Sequence, residues 1–137
     1  MLPNTAHLKK WVTLVLTQQK ATGSITIRIV DGTESQRLNH TYRGKNKPTN
    51  VLSFPFAQAE TFTLPEKILG DLVLCAPLIE QEAVEQNKPL TAHWAHLIIH
   101  GTLHLLGYDH MINEEAEMME VLEIKLLAQL GYPNPYE

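Results

Sequence analysis

Three histidines, His100, His104 and His110, stand in the order H-x-x-x-H-x-x-G-x-x-H, with Gly107 filling the glycine position. Each interval has a geometric reason to serve one metal ion. Residues four apart on a helix project from nearly the same face, so His100 and His104 can offer two nitrogens to a single ion. A glycine just past a helix end takes the left-handed backbone conformation at little cost, so Gly107 predicts a chain reversal that carries His110 back toward that ion. Three protein ligands leave a coordination position open, the usual arrangement of catalytic zinc, whereas structural zinc is closed by a fourth ligand, commonly from a cysteine-containing set. This chain has one cysteine, Cys75. The competing reading is a satisfied polar seam, His93, His96, His100 and His104, along an otherwise apolar helix. For a pair at i, i+4 alone the seam is the better reading, and Gly107 with His110 at these offsets reverses it. His96 sits one turn before His100 and farther from Gly107, so it is set aside as a ligand. His93 is read as structural or as a partner of the ligands, and His7 and His40 as ordinary polar residues.

The spacing is also the skeleton of the metzincin proteases, but their glutamate is replaced here by Gly101. That glutamate is the base that takes the proton of the metal's water. Peptide hydrolysis by that route lacks its proton acceptor in this chain, although a metal alone lowers the pKa of its water to about 7.

Charge is distributed unevenly. The net charge of -4 and a pI near 6.0 do not suit a protein that grips long nucleic acid over its whole surface. From Ser35 to Ala59, however, there is no Asp or Glu, while Arg37, Arg43, Lys45 and Lys47 all fall there. Glu114, Glu115, Glu117, Glu120 and Glu123 crowd the last helical pattern, the first two suiting its N-terminal dipole. On composition alone the basic run serves equally as a solvated helix end and loop or as a cleft for an anionic substrate.

The run H-G-T-L-H-L-L-G-Y-D-H from His100 to His110, with the block Tyr42-Arg-Gly-Lys-Asn-Lys-Pro-Thr-Asn-Val-Leu-Ser-Phe-Pro-Phe56, resembles the YbeY family of bacterial endoribonucleases. Gly70-Asp71 before an apolar strand, the His-Trp-Ala-His run ending at His96 and the Gly-Tyr-Pro-Asn-Pro-Tyr tail extend the resemblance over nearly the whole chain. It implies one Zn2+ per chain held by His100, His104 and His110, a catalytic Arg43, and a role in 16S ribosomal RNA 3′-end maturation and ribosome quality control. With that resemblance the basic stretch is read as a cleft for single-stranded RNA. Arginine's planar fork can hold two phosphate oxygens at once, which suits Arg43 to stabilising charge in the transition state. Lys45 and Lys47 are assigned to positioning the strand, in a salt-dependent and largely sequence-blind way.

The expected reaction is metal-assisted phosphodiester cleavage, with water or the ribose 2′-hydroxyl as nucleophile. Asp109 and Asp71 are carboxylates that could orient a histidine or carry a proton, although a turn role beside Gly107 is the better reading for Asp109, and Tyr108 has the same two readings. Phe54 and Phe56 could stack on bases, but Val51-Leu-Ser-Phe assigns at least one to the core. Two other classes stay open: a metallopeptidase or other amide hydrolase on the same histidine skeleton, and a non-catalytic ribosome-associated zinc protein with its fourth coordination position filled, by His96 for instance.

The elements that must position these residues follow from periodicity. Leu8, Trp11, Val12, Val15 and Leu16 fit one face of a first helix, and Ile25 to Val30 alternates as a half-buried strand. Thr33 and Gln36 form a capping box for a second helix. Val51 to Phe56 and Ile68 to Cys75 read as strands, with Pro55 placing the first at a sheet edge or ending it there. Ala57 to Leu64 is the expected long loop. Pro77 opens a helix running to about Asn87. Thr91 is expected to cap the histidine helix, and Asn113 the last one, whose buried stripe is Met119, Leu122, Leu126 and Leu130. Gly131 and Pro133 stop that helix. The fold class is α+β, a small mixed sheet packed with helices, resembling the zincin architecture. Family members generally open with a strand ahead of their first helix, whereas Met1-Leu-Pro leads almost directly into a helical pattern, so the sheet is expected to be one strand smaller or the start to lie upstream.

At 137 residues, the chain suits one domain spanning 1–137. A lone cysteine fits a reducing compartment, no run of about 20 apolar residues is present, and no signal peptide is expected. Trp11 to Leu16 is short and interrupted by Thr13. The expectation is a cytoplasmic protein with no membrane and no DNA partner, acting on ribosomal RNA in the ribosome or its small subunit.

Overall fold

The computed structural model describes residues 2–56, 67–109 and 111–137. In chain order these form α1 (Thr5–Gln18), β1 (Ser24–Val30), α2 (Gly32–Arg43), β2 (Val51–Pro55), β3 (Ile68–Cys75), α3 (Ala76–Glu85), α4 (Leu90–Leu105) and α5 (Asn113–Gln129). The class is α+β, with the three described strands in the order β1-β3-β2. β1 runs parallel to β3 with Ile27 opposite Leu72, and β2 runs antiparallel with Ser53 opposite Leu72. The parallel pair is joined by a path through α2 and β2, while β2 occupies the edge, where the missing N–H of Pro55 at its last residue costs no ladder bond.

Side-chain alternation splits the sheet between two helices. Leu72 and Leu74 point to α4 and join Trp94, Ile98, Ile99 and Leu103 in the main core, closed by Trp11 and Val15 of α1, Ile79 of α3 and Met119 and Leu126 of α5. Leu52 and Val73 point to the other face and pack with Leu38 of α2, with Phe54 and Val30 at the margin. α4 is therefore surrounded by β2, β3, α1, α3 and α5, which explains a helix apolar nearly all round. Its histidines are thereby fixed relative to these five elements.

The helix starts depart from expectation. Asp31, not Thr33, caps α2 by accepting from the Glu34 N–H at 2.8 Å, because it stands immediately ahead of Gly32, the first helical residue. Pro89 occupies the cap position of α4 and Ile112 that of α5, so Thr91 and Asn113 lie inside their helices and neither supplies the capping bond. α3 begins at Ala76 with Pro77 in its first turn, as its fixed φ favours. Met119 and Leu126 are fully buried, with Leu122 and Leu130 packed against the core beside them. The Ala57 to Leu64 loop lies outside the described residues.

Candidate active site

The second helix ends so that its last residue faces the histidine helix. Gly44 adopts φ 70°, which only glycine takes readily, and its N–H bonds the His40 carbonyl while that of Lys45 reaches Asn39. The chain then returns along α2 and is tied to it. The Asn39 amide donates to the Lys47 carbonyl at 2.8 Å, and the Ser35 hydroxyl donates to the Thr49 carbonyl while accepting the Thr49 N–H. These bonds fix the loop bearing Lys45 and Lys47. Arg43 extends the other way, donating from Nη2 to the Ser53 carbonyl of β2 at 3.2 Å.

On α4, His100 and His104 each commit Nδ1 to the protein. His100 Nδ1–H donates to Glu123 Oε2 at 2.9 Å, and His104 Nδ1–H to the Tyr108 carbonyl at 2.6 Å. The second bond depends on the turn after α4, where Gly107 has φ 110° and the Tyr108 N–H reaches back to the Leu103 carbonyl. Imidazoles that ligate metals use one nitrogen in this way, donating to a carboxylate or carbonyl so that the other is aimed at the ion. The donor set thus suits a metal that prefers neutral imidazole. His110 lies outside the described residues; its neighbours Asp109 and Met111 line the same cleft as His100 and His104.

That cleft has a volume of about 650 Å3 and brings Arg43, Lys45 and Lys47 together with both histidines, with Asn39 and Ser53 also lining it. Two groups separated by more than fifty residues in the chain share one concavity. A profile of the family described as endoribonuclease YbeY matches residues 3–131. The chain belongs to the YbeY family. Its members are RNA-cleaving hydrolases by class. The fold is similar to the solution structure of TM1509 from Thermotoga maritima, at 26% identity and a TM-score of 0.64, over 89% of this chain and 77% of that one.

Against this YbeY-family frame, several residues take definite places. Gly101 is buried against the sheet, where a Cβ would lie 2.8 Å from Leu72 Cδ2 and 3.4 Å from Ser53 Oγ. The position that carries a glutamate in the protease pattern here faces the core. Asp109 accepts the Met111 N–H on Oδ1 at 2.9 Å, a turn role, and Tyr108 packs on the core with its hydroxyl donating to Gln19. Asp71 does not join the site: it is exposed, and alternation next to Leu72 puts it on the sheet face away from α4. Phe54 packs in the smaller core and meets Tyr42 edge-on, while Phe56 is exposed.

Sequence reasoning missed Glu123. It is fully buried, and its carboxylate accepts from His100, from His96 Nε2 at 2.6 Å and from the Tyr136 hydroxyl at 2.5 Å. Burial alone would raise its pKa, but the donors from His100, His96 and Tyr136 outweigh that and hold it at about 2. Its signal was present: position 123 falls on the apolar stripe with Met119, Leu122 and Leu126, where a charge needs a partner. His93 belongs to a separate network. Its Nε2 lies 2.9 Å from Glu82 Oε1, and burial lowers its pKa against the opposing pull of that carboxylate.

Proposed function

We propose that this chain is a zinc-dependent endoribonuclease specific for single-stranded RNA, acting in 16S ribosomal RNA 3′-end maturation and ribosome quality control. The observation that carries it is the shared cleft, lined by three cations and by two histidines whose Nδ1 atoms are both held by protein acceptors. His100 and His104 would hold one Zn2+ through Nε2, with His110 as third ligand. Such an ion supplies Lewis-acid polarisation of a phosphate oxygen. The small sheet under a histidine helix supports a zincin-like reading of the architecture, and the lone, buried Cys75 supports a cytoplasmic one.

The protein's own groups do the rest. Lys45 and Lys47, exposed on a stapled loop, attract and align the phosphate backbone. Arg43 keeps one nitrogen on the Ser53 carbonyl, which limits the rotation of the guanidinium and leaves its remaining donors for the phosphate under attack. Ser53 in turn donates to the Gly101 carbonyl at 3.4 Å, so the arginine's support is bonded to the histidine helix. Of the two phenylalanines that could stack on bases, the exposed Phe56 is the one left for that use.

The amide-hydrolase reading is disfavoured by Gly101, which offers no base and no room for one. The non-catalytic reading needs a fourth ligand such as His96, whose Nε2 is instead committed to Glu123. Purified protein assayed on single-stranded RNA, duplex RNA and a peptide, with and without chelator, separates the three. The expected result is chelator-sensitive cleavage of single-stranded RNA alone. Peptide cleavage, or zinc binding without any cleavage, would replace this reading by one of the others. A 2′,3′-cyclic phosphate on the product would identify the ribose hydroxyl as nucleophile.

A further inference from the structure

After α5 the chain does not run off into solvent. Gly131 turns it with φ 86°, the Tyr132 N–H returns to the Leu127 carbonyl, and the tail crosses the histidine face of α4. Lys88, in the connection before α4, donates from Nζ to the Pro135 carbonyl at 2.7 Å. Asn134 then shapes a turn by accepting the Tyr136 N–H on Oδ1 at 2.8 Å. The Tyr136 ring meets His96 edge-on, with centroids 5.4 Å apart, and its hydroxyl reaches Glu123 Oε1. An otherwise half-exposed side chain is thus aimed at a carboxylate buried beneath it.

The two oxygens of Glu123 have different duties. Oε1 accepts from both Tyr136 and His96, while Oε2 accepts from His100. Two donors on one oxygen fix the plane of the carboxylate, and that plane determines where Oε2 meets the His100 ring. We infer that Tyr136 is a positioning residue for His100: by clamping Glu123 it holds the His100 imidazole in one orientation and in the Nδ1–H tautomer, which tightens metal binding at Nε2. The metal half of this inference rests on the reading of His100 as a zinc ligand; the tautomer half does not. Partners at this remove from a metal typically change its affinity by about 10- to 100-fold.

The test is Tyr136→Phe, which keeps the ring against His96 and removes only the hydroxyl. In metal-free protein, 15N chemical shifts of the His100 ring report its tautomer directly. Wild type is expected to show one Nδ1–H form and the variant a mixture, with nearly unchanged thermal unfolding of the metal-free state. Zinc affinity, measured by competition with a chromophoric chelator, is expected to fall about 10-fold, with stoichiometry still one per chain. A merely structural tyrosine would lower the melting temperature without moving either readout. Lys88→Met, which loosens the tail without touching Glu123, is expected to give the same changes in weaker form and serves if the first variant folds poorly. A single His100 tautomer in the variants, or zinc affinity equal to wild type, overturns the inference. Wild type that takes up no zinc at all overturns the metal reading instead, and the tautomer comparison still decides the role of Tyr136.

Discussion

A β-carbon built on Gly101 would lie 2.8 Å from Cδ2 of Leu72, a side chain with no exposed surface. α4 rests closely on β3 there, one residue along from His100. Gly101→Ala is expected to destabilise the protein by about 1–3 kcal/mol through overpacking, despite alanine's better helix propensity. Gly101→Glu, which would complete the protease pattern, should unfold the chain rather than create a peptidase, because it would bury a carboxylate beside Leu72. Denaturant titration of both variants with a peptide-cleavage assay checks this; a folded, peptide-cleaving glutamate variant would be the contrary result.

Replacing His100, His104 or His110 singly with alanine should reduce bound zinc from one per chain to nearly none and lower thermal stability, since metal affinity couples to folding. His96→Ala should keep its zinc, though bound more weakly, because His96 acts on the site through Glu123. Metal analysis of the four purified proteins is decisive, and a His96 variant as empty as the His104 variant would require a different ligand set.

Arg43→Ala should lower the single-turnover cleavage rate at saturating RNA by about 10²-fold or more while zinc content is unchanged. Arg43→Lys should remain badly impaired, since a lysine keeps the charge but cannot bond the Ser53 carbonyl and a phosphate in the same planar geometry. Lys45→Ala and Lys47→Ala should weaken RNA binding and reduce its salt dependence, with a smaller effect on the chemical step. Near wild-type chemistry in Arg43→Lys would reduce the arginine to simple attraction.

Acid should act in the metal-free protein through Glu123 and His93. Glu123 has a folded pKa of about 2 against an ordinary 4.5, so its contribution is complete above about 4.5 and is lost as pH falls through about 2. Its size is on the order of 3 kcal/mol. His93 is held neutral with a pKa below its ordinary 6.5, so stability also begins to decline as pH drops under 6.5. Unfolding free energy measured from pH 8 to pH 2 should therefore fall in two stages. Glu123→Gln should be less stable at neutral pH and should lack the lower stage.

The histidine spacing, the break at Gly107 and the basic run could be read from the chain because each is a local pattern with a local cause. The strands were legible for the same reason, and Pro55 marked β2 as an edge strand or its end, both of which hold. Helix starts were not: Thr33, Thr91 and Asn113 all have capping chemistry, but Asp31 competes successfully at the first, and packing of α4 and α5 sets the other two. The carboxylate of Asp71 suits a proton carrier by type, but its alternation with Leu72 turns it away from α4. Glu123 was hidden among the other glutamates of α5, and only its register with Met119 and Leu126 distinguished it. Tyr136 could not have been found, since nothing local links it to a helix 40 residues earlier.

The bond between His100 and Glu123 spans 23 residues of chain. Synthesis therefore delivers the histidine well before the carboxylate that orients it, and the tyrosine that clamps the carboxylate later still. A nascent chain that has emerged only through α4 carries the cleft's cations and the helix-borne imidazoles but not their alignment. On the reading proposed above, the alignment of the site is therefore completed last, once α5 and the tail have folded back onto α4.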